Sequence, residues 1–325
     1  MGLVLPKFLG AVDGLVGVSL RTRWNAWWNR CELDKPSRDL PDFDARSDEL
    51  SSETGPDWDT DGAHPPSSSP HVWTQAHKQL ADALWTPGFI VSGGAEYVQE
   101  LVGFCKPTPA ETMLEIGAGM GGGTRAIIGK FGNYVTGYEP DEALAEESRK
   151  HVITHDIDGK LDVVNLPLCE IDLKSGDDRA ALTRDVLYMV EDKEKLLGEV
   201  CQSLKPGTSY LIVTDLLLDP ENMTPEVEDW IEGERCPVYP WEINALKFAI
   251  ESRGVLARIV EDESARYCSM VTSAWSIYLA ELRKKEAPPE LGALISNEAN
   301  LWGRRIAAIK SGGLRYYRIE GVRTG

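Results

Sequence analysis

The chain has 325 residues, 42% of them hydrophobic and 26% charged, which is typical of a globular protein that buries a core. Its 34 basic and 52 acidic residues give a net charge of −18 at pH 7. A surface this negative repels phosphate backbones, and the sequence holds no run of basic residues, so we expect no nucleic-acid partner.

The six cysteines are scattered, without a Cys-x-x-Cys pair or a histidine at ligand spacing. This pattern predicts no metal site and is typical of a reducing compartment. No apolar run reaches the roughly 18 to 20 residues of a transmembrane helix, and the chain lacks the basic start of a secretory signal. We therefore expect a cytoplasmic protein.

Residues 1–30 form an apolar and aromatic segment that ends in arginines and tryptophans. We interpret it as an interfacial helix that makes the protein peripheral to the inner face of a membrane, or as an arm that contacts a protein partner. Packing of this helix on its own domain is the open alternative. The apolar residues at helical spacing are Phe8, Leu9, Val12, Leu15 and Val16.

Residues 31–70 differ from the rest of the chain in composition. From residue 32 onward they hold eleven acidic and three basic residues, many Ser and Pro, and few aliphatic side chains. Such a segment cannot bury enough apolar surface to offset its ordering entropy. We predict a disordered acidic linker before a domain at residues 71–325.

The domain alternates helical and strand-like segments, which predicts a doubly wound, Rossmann-like α/β fold. In chain order, the predicted elements are helices at 72–85 and 93–105, a strand at Thr112–Ile116, a helix at 124–131, a strand at Tyr134–Tyr138, a helix at 141–151, apolar runs at 161–168 and 180–190, a helix at 192–204, a strand at 210–214, a helical and Trp-rich region at 221–250, a strand at 255–260, two helices, and a strand at 314–322.

A glycine loop follows the first predicted strand and precedes a helix. Gly117, Gly119 and Gly121 let the backbone turn tightly around Ala118 and approach a ligand closely. Glu115, at the end of the strand, suits the positive amino group of an amino-acid moiety. Glu139, at the tip of the next strand and before Pro140, suits the two hydroxyls of a ribose. The loop therefore predicts a nucleoside cofactor.

Gly117, Gly119 and Gly122 also match the G-x-G-x-x-G fingerprint of dinucleotide-binding proteins, so an NAD-dependent dehydrogenase is the alternative. Two features favour S-adenosylmethionine (SAM) instead. An acidic residue before the first glycine is useful beside a methionine amino group and unfavourable beside a pyrophosphate. The Leu-Lys-Pro-Gly turn at 204–207, followed by an apolar strand that ends in Asp215, is typical of methyltransferases.

These motifs resemble the class I SAM-dependent methyltransferases, and the closer resemblance is to phosphoethanolamine N-methyltransferases. The resemblance covers residues 71–325 and implies a mostly parallel seven-stranded sheet with a helical lid. It also implies that Ile90 and Val91 line the cofactor and that Glu170 lies near the adenine amine. The segments that carry the closer resemblance are 88–94, the triple glycine 121–123, 183–185, and Asp192 with Lys193.

The chain differs from this family at the positions that are expected to contact the methyl acceptor. Trp73 and Met189 stand where the resemblance expects a Tyr and a His that act as an acid/base pair, and neither can take a proton. Only Arg305 keeps a basic group at the positions expected to bind phosphate. We therefore predict that phosphoethanolamine is not the acceptor. The other phosphate-binding positions fall on Leu216, Trp230, Glu234 and Cys236.

The acceptor pocket is then expected to be apolar, aromatic and acidic. Such a lining suits an amine, held by cation–π contacts and a carboxylate, so we predict a methyltransferase that N-methylates a small molecule. A lipid or another apolar O- or S-acceptor, and a non-catalytic SAM-binding scaffold, are the alternatives. The candidate catalytic residues are Asp185, Tyr188 and Glu234, with His71 as a further proton acceptor.

Overall fold

The computed structural model describes residues 73–154, 157, 159–173, 176–282 and 289–324. The predicted segment 1–30, the predicted linker 31–70 and the candidate residue His71 lie outside these residues. The start of the domain at residue 71 therefore stays a prediction.

Seven strands form one sheet: β1 (Thr112–Ile116), β2 (Tyr134–Tyr138), β3 (Leu161–Val164), β4 (Ala180–Arg184), β5 (Tyr210–Leu218), β6 (Val255–Asp262) and β7 (Leu314–Arg323). Their order is β3-β2-β1-β4-β5-β7-β6. The strands from β3 to β5 are parallel, whereas β7 is antiparallel to both β5 and β6. The predicted mostly parallel seven-stranded sheet is confirmed.

Nine helices accompany this sheet within the described residues: α1 (Gln75–Trp85), α2 (Gly94–Gly103), α3 (Gly122–Phe131), α4 (Glu142–Thr154), α5 (Lys193–Ser203), α6 (Pro225–Gly233), α7 (Ile243–Glu251), α8 (Ser264–Leu282) and α9 (Pro289–Ser311). Short 3₁₀ helices lie at Leu168–Glu170, Leu187–Met189 and Pro220–Asn222. None of these helices is long and apolar enough to cross a membrane.

Capping residues set where two of the predicted helices begin. The side chain of Thr74 accepts a hydrogen bond from the His77 amide at 3.3 Å, and α1 starts just after it. The side chain of Asp192 accepts from the Lys195 amide at 3.0 Å before α5. Each cap satisfies one of the amide groups that the first turn of a helix leaves without a partner.

The structure differs from the sequence prediction in two places. The region predicted as continuously helical at 221–250 is divided into α6 and α7, because Gly233 ends the first helix and Pro237 and Pro240 cannot continue it. The strand predicted at 210–214 extends to Leu218, because β7 pairs with β5 along its whole length. Asp215 therefore lies within a strand rather than at its end.

The centre of the sheet positions the site. Every residue of β4 and seven of the nine residues of β5 are buried, as expected for strands whose two faces are both covered. The strand order reverses direction between β1 and β4. In open α/β sheets, ligands bind beyond the carboxyl ends of the strands at such a point. The loops that follow β1, β2 and β4 meet there.

Candidate cofactor and acceptor site

The glycine loop after β1 is fixed against the end of β2. Gly117, Gly119 and Gly121 have φ angles of +76°, +58° and +77°, in the left-handed region that favours glycine. The amides of Gly117 and Ala118 donate to the carbonyl oxygen of Tyr138 at 2.8 and 3.0 Å. The loop therefore has the turn geometry that the sequence predicted.

The segment 88–94 lies across this loop. The amide of Gly122 donates to the carbonyl oxygen of Gly88 at 2.8 Å. A Cβ on Gly119 would lie 3.1 Å from Cδ1 of Ile90, so this side chain borders the loop. Val91 follows Ile90 and, like it, is partly exposed. Ile90 thus lies beside the loop, and the contact of Ile90 or Val91 with a cofactor stays a prediction.

Glu139 is buried at the end of β2 and is held by two amides. Its Oε2 accepts from Gly119 at 2.7 Å and its Oε1 from Asp141 at 2.9 Å. Burial raises the pKa of Glu139 to about 7, against the effect of these hydrogen bonds. The sequence argument missed Asn165, whose Nδ2 donates to the carbonyl oxygens of Glu139 and Pro140 at 2.9 and 3.1 Å. Asn165 thus fixes the backbone that presents Glu139.

Glu115 is buried at the end of β1, and Arg184 and Arg125 act on it electrostatically. A Cβ on Gly123 would lie 2.0 Å from Oε1 of Glu115, so the start of α3 must be glycine to fit against the carboxylate. Oε2 has no hydrogen-bond partner among the described residues. Burial raises the pKa of Glu115 to about 7. A buried carboxylate oxygen without a partner suits a ligand that brings a positive group.

Glu170 lies on the exposed 3₁₀ helix Leu168–Glu170, between β3 and β4. Its amide donates to the carbonyl oxygen of Pro167 at 2.8 Å, which closes this turn. The predicted role of Glu170 near an adenine amine stays a prediction.

Asp185 directly follows β4 and lies next to the glycine loop. A Cβ on Gly117 would lie 2.9 Å from Cγ2 of Val186, the next residue. Asp185 has a φ of +56°, in the left-handed region that Asp adopts more readily than most residues other than glycine. Its Oδ1 accepts from the Tyr316 hydroxyl at 2.6 Å, whereas its Oδ2 has no partner among the described residues. Burial raises the pKa of Asp185.

Asp215 fixes the 3₁₀ helix Leu187–Met189 that follows. Its Oδ2 accepts from the Leu187 amide at 2.6 Å, and its Oδ1 accepts from Leu216 at 2.7 Å. Burial raises the pKa of Asp215 to about 8, and the negative charge of Asp185 adds to this effect. The carboxylate thus holds the backbone that presents Tyr188.

Glu234 and Arg305 form a buried, two-pronged ion pair. Nε and Nη2 of Arg305 donate to the two carboxylate oxygens at 2.5 and 2.7 Å, and the side chains are 2% and 5% exposed. Nη2 also donates to the Tyr188 hydroxyl at 2.8 Å, and Nε1 of Trp230 donates to Glu234 at 2.6 Å. Although burial acts to raise it, the guanidinium holds the pKa of Glu234 below its ordinary value.

This pair bears on the argument made from the sequence, which placed Glu234 and Arg305 separately at positions expected to bind phosphate. The structure shows each group bound to the other. Glu234 therefore offers no unmatched negative charge to repel a phosphate, and Nε and Nη2 of Arg305 already bind protein groups. Tyr188 and Glu234, two of the predicted catalytic residues, are brought together, but their polar atoms bind Arg305.

The positions expected to hold an acid/base pair have packing contacts instead. Met189 packs, partly buried, against the hydrophobic core beside β4 and β5. The Arg235 guanidinium lies 5.0 Å from the ring centre of Trp73. Lys193 lies 5.7 and 5.5 Å from the rings of Tyr239 and Trp241, and burial lowers the pKa of Lys193 to about 8. These residues tie the segment between α6 and α7 to the domain.

Residues 114–212 match a family model described as a methyltransferase domain. Phosphoethanolamine N-methyltransferase 1 of Zea mays is 23% identical over 193 residues, which are 58% of this chain but only 37% of that protein. Phosphoethanolamine N-methyltransferase 2 of Haemonchus contortus has a TM-score of 0.65 at 16% identity, over 75% of this chain and 56% of that one. Geranyl diphosphate C-methyltransferase of Streptomyces coelicolor has a TM-score of 0.55 at 18% identity, over 71% of this chain and 79% of that one.

The predicted Rossmann-like class I methyltransferase fold is thereby confirmed, as is the resemblance to phosphoethanolamine N-methyltransferases. The chain spans less than two fifths of the length of the maize relative. Because the fold neighbours are named as both N- and C-methyltransferases, the fold alone leaves the acceptor open.

Proposed function

We propose that this chain, which carries a methyltransferase domain at residues 114–212, transfers a methyl group from SAM to the nitrogen of a small amine. The observation that carries this proposal is the buried carboxylate of Asp185, which directly follows β4 at the switch point and whose Oδ2 has no hydrogen-bond partner among the described residues. The solved Haemonchus relatives are named in complex with SAM and with S-adenosylhomocysteine, which supports the same cofactor here.

The residues at the glycine loop fit this cofactor. The free Oε2 of Glu115 pairs with the methionine ammonium group, and Glu139 accepts hydrogen bonds from the ribose hydroxyls. Gly119 has no side chain, so the backbone of the loop can approach the ligand closely. The bound sulfonium supplies an activated methyl group together with its own leaving group. The protein therefore has to position the acceptor rather than activate it strongly.

Asp185 positions the acceptor. Its free carboxylate oxygen accepts a hydrogen bond from an amine N–H, which turns the nitrogen lone pair towards the loop. The Tyr316 hydroxyl holds the other oxygen at 2.6 Å, so the carboxylate has a fixed orientation. An ammonium acceptor also compensates the buried negative charge, which a neutral O- or S-acceptor does not. It has to lose one N–H proton before its nitrogen has a lone pair that can attack the methyl group.

The acceptor is not phosphoethanolamine. Among the positions that the resemblance expects to bind phosphate, Arg305 is the basic residue, and its buried guanidinium is already bound by Glu234 and Tyr188. Opening this pair for a phosphate would leave the Glu234 carboxylate buried and unpaired. We therefore propose an amine that carries no phosphate.

We expect cofactor affinity to rise with pH. Glu115 must be ionised to pair with the ligand ammonium group, and burial raises its pKa to about 7, so at pH 5.5 most molecules carry the neutral acid. Calorimetric titration with S-adenosylhomocysteine should show affinity increasing on the order of tenfold from pH 5.5 to 7. Glu115→Gln should bind more weakly and lose part of this dependence, and the part that remains is expected from Glu139, whose pKa burial also raises to about 7. An unchanged pH profile in Glu115→Gln would assign the effect to another group.

We expect Asp185→Asn to lower kcat/KM for the preferred amine about 30-fold, the size expected for the loss of a hydrogen bond to a charged group. The acceptor is found with a methyl-release assay using labelled SAM and a panel of simple amines, phosphobases and lipids. Affinity for S-adenosylhomocysteine should change less than about twofold, since Glu115 and Glu139 are untouched. Asp162→Asn, which removes an exposed carboxylate on β3, is the matched control.

Efficient methylation of phosphoethanolamine by the wild type would overturn the proposed acceptor class. Methylation of lipids alone would favour the apolar alternative. Full activity of Asp185→Asn on amines would show that Asp185 does not position the acceptor. It would not contradict the proposed reaction.

A further inference from the structure

Residues 86–93, which connect α1 to α2, form a strap that contacts the glycine loop. The amide of Gly122, just after the loop, donates to the carbonyl oxygen of Gly88 at 2.8 Å. Ile90 borders the loop, since a Cβ on Gly119 would lie 3.1 Å from its Cδ1. A ligand that lies against Gly119 therefore has the strap as its neighbour.

Two arginines attach this strap to the domain, one near each of its ends. Arg184, at the end of β4, donates from Nη1 to the carbonyl oxygen of Ser92 at 3.0 Å. Arg125, on α3, donates from Nη2 to the carbonyl oxygen of Pro87 at 3.0 Å and from Nη1 to that of Met120 at 2.9 Å. Because Met120 belongs to the glycine loop, the guanidinium of Arg125 joins the strap directly to the loop.

The strap is shaped to fit Arg125. Gly88 has a φ of +87°, and a Cβ there would lie 1.8 Å from Nη2 of Arg125. Its amide donates to Oδ1 of Asp82 at 2.7 Å. Burial lowers the pKa of Arg125, and the negative charge of Asp82 counteracts this effect. A side chain at residue 88 would therefore displace the guanidinium as well as strain the backbone.

The two ends of the strap differ in exposure to solvent. Thr86 and Pro87 are exposed, and so is the hydrogen bond between Arg125 and Pro87. Phe89 and Ser92, further along the strap, are buried. Segments whose hydrogen bonds reach solvent open at a lower free energy than buried ones. We therefore expect the strap to open from the end that Arg125 holds.

We propose that Arg125 is a positioning residue that holds the strap against the glycine loop and thereby slows release of the cofactor, an inference that rests on the proposed function. In each turnover SAM enters the site and S-adenosylhomocysteine leaves it. Detachment of the guanidinium from Pro87 lets Ile90 move away from Gly119, which opens the loop on the side where the ligand lies. The strength of this attachment then sets how long the ligand stays bound.

The first test needs no ligand. Hydrogen exchange of the full-length protein, followed by mass spectrometry, reports opening of the strap through the peptides that cover it. In Arg125→Ala, residues 86–93 should exchange about tenfold faster, because two hydrogen bonds from a charged group are lost. Peptides from β4 and β5 should exchange as in the wild type. Lys130→Ala, a substitution of an exposed cation on the same helix, is the matched control and should change neither region.

The second test follows S-adenosylhomocysteine by surface plasmon resonance on the immobilised full-length protein. Arg125→Ala should raise koff about tenfold. Because the ligand passes the strap on entry as well as on exit, kon should stay the same or rise, whereas damage to the cofactor site would lower it. Lys130→Ala should leave both rate constants unchanged.

Arg125→Lys separates the hydrogen bonds from the charge. It keeps a positive charge near Glu115, on which Arg125 acts electrostatically. Its ammonium group lacks the planar fork with which the guanidinium reaches two carbonyl oxygens. We therefore expect Arg125→Lys to raise koff about fivefold, although the charge is retained. This conservative variant also keeps the test valid if Arg125→Ala does not fold.

Gly88→Ala tests the same contact from the strap. In the wild-type background its Cβ displaces the guanidinium, so koff should rise about tenfold. In the Arg125→Ala background there is no guanidinium to displace, and Gly88→Ala should raise koff by less than about threefold more. Substitutions that act independently would instead multiply their effects.

A wild-type koff in Arg125→Lys, or effects of Gly88→Ala and Arg125→Ala that multiply, would overturn the proposal. Wild-type hydrogen exchange of the strap in Arg125→Ala would do the same. Failure of the proposed function looks different, because the wild type would then bind no S-adenosylhomocysteine. The role in release would fall with it, while hydrogen exchange would still decide whether Arg125 holds the strap.

Discussion

Arg305→Met is expected to lower the free energy of unfolding by about 3–5 kcal/mol, the usual result of removing one partner from a buried ion pair. The substitution leaves the Glu234 carboxylate buried, with Trp230 as its remaining donor, and leaves the Tyr188 hydroxyl without its donor. Urea denaturation followed by circular dichroism measures this loss.

Two variants make the test specific. Arg305→Met combined with Glu234→Leu removes both charges and should recover most of the lost stability, because apolar residues often replace a buried pair at little cost. Arg304→Met changes the exposed neighbouring arginine and should alter stability by less than about 0.5 kcal/mol. A loss below about 1 kcal/mol in Arg305→Met would mean that the pair is solvated rather than buried.

Gly119→Val is expected to weaken binding of S-adenosylhomocysteine on the order of 100-fold. A β-branched residue at a φ of +58° is strained by about 1–3 kcal/mol, and its Cβ would lie 3.1 Å from Ile90. The loop must shift to relieve both effects, which moves the Gly119 amide away from Glu139. About 1.4 kcal/mol corresponds to a tenfold change in affinity, so the two effects together account for the expected loss.

Gly129→Val is the matched control, since a Cβ on Gly129 meets no atom within 4 Å. It makes the same substitution in the helix that follows the loop, and cofactor affinity should change less than about twofold. Wild-type affinity in Gly119→Val, measured by calorimetry, would rule out the glycine loop as the cofactor site.

The sequence predicted the part of the site that a short stretch of chain builds by itself. Strand β1, the glycines at 117–121 and the start of α3 are consecutive, so their spacing alone specifies a strand, a left-handed turn and a helix. The position of Glu139 was predictable for the same reason, since it directly follows the next strand. These local signals carried both the fold class and the proposed cofactor.

The acceptor side of the site was less accessible to sequence reasoning, because long-range pairing builds it. Tyr316 reaches Asp185 only because β7 lies beside β5, with Thr214 opposite Arg318. The Glu234–Arg305 pair joins residues 71 positions apart. No periodicity within one element indicates which distant side chains will meet, and ungapped matching to a family supplied positions without their contacts.

The place of β7 in the sheet has a consequence for how the protein is made. β7 lies between β5 and β6 but is synthesised after both. At about 5–20 residues per second, the roughly one hundred residues between β5 and β7 take a ribosome on the order of ten seconds. Throughout that interval one edge of the apolar strand β5 has no partner, and such an edge is a template for misassembly. The nascent chain therefore exposes an edge of β5 with which other chains can pair until β7 has been synthesised.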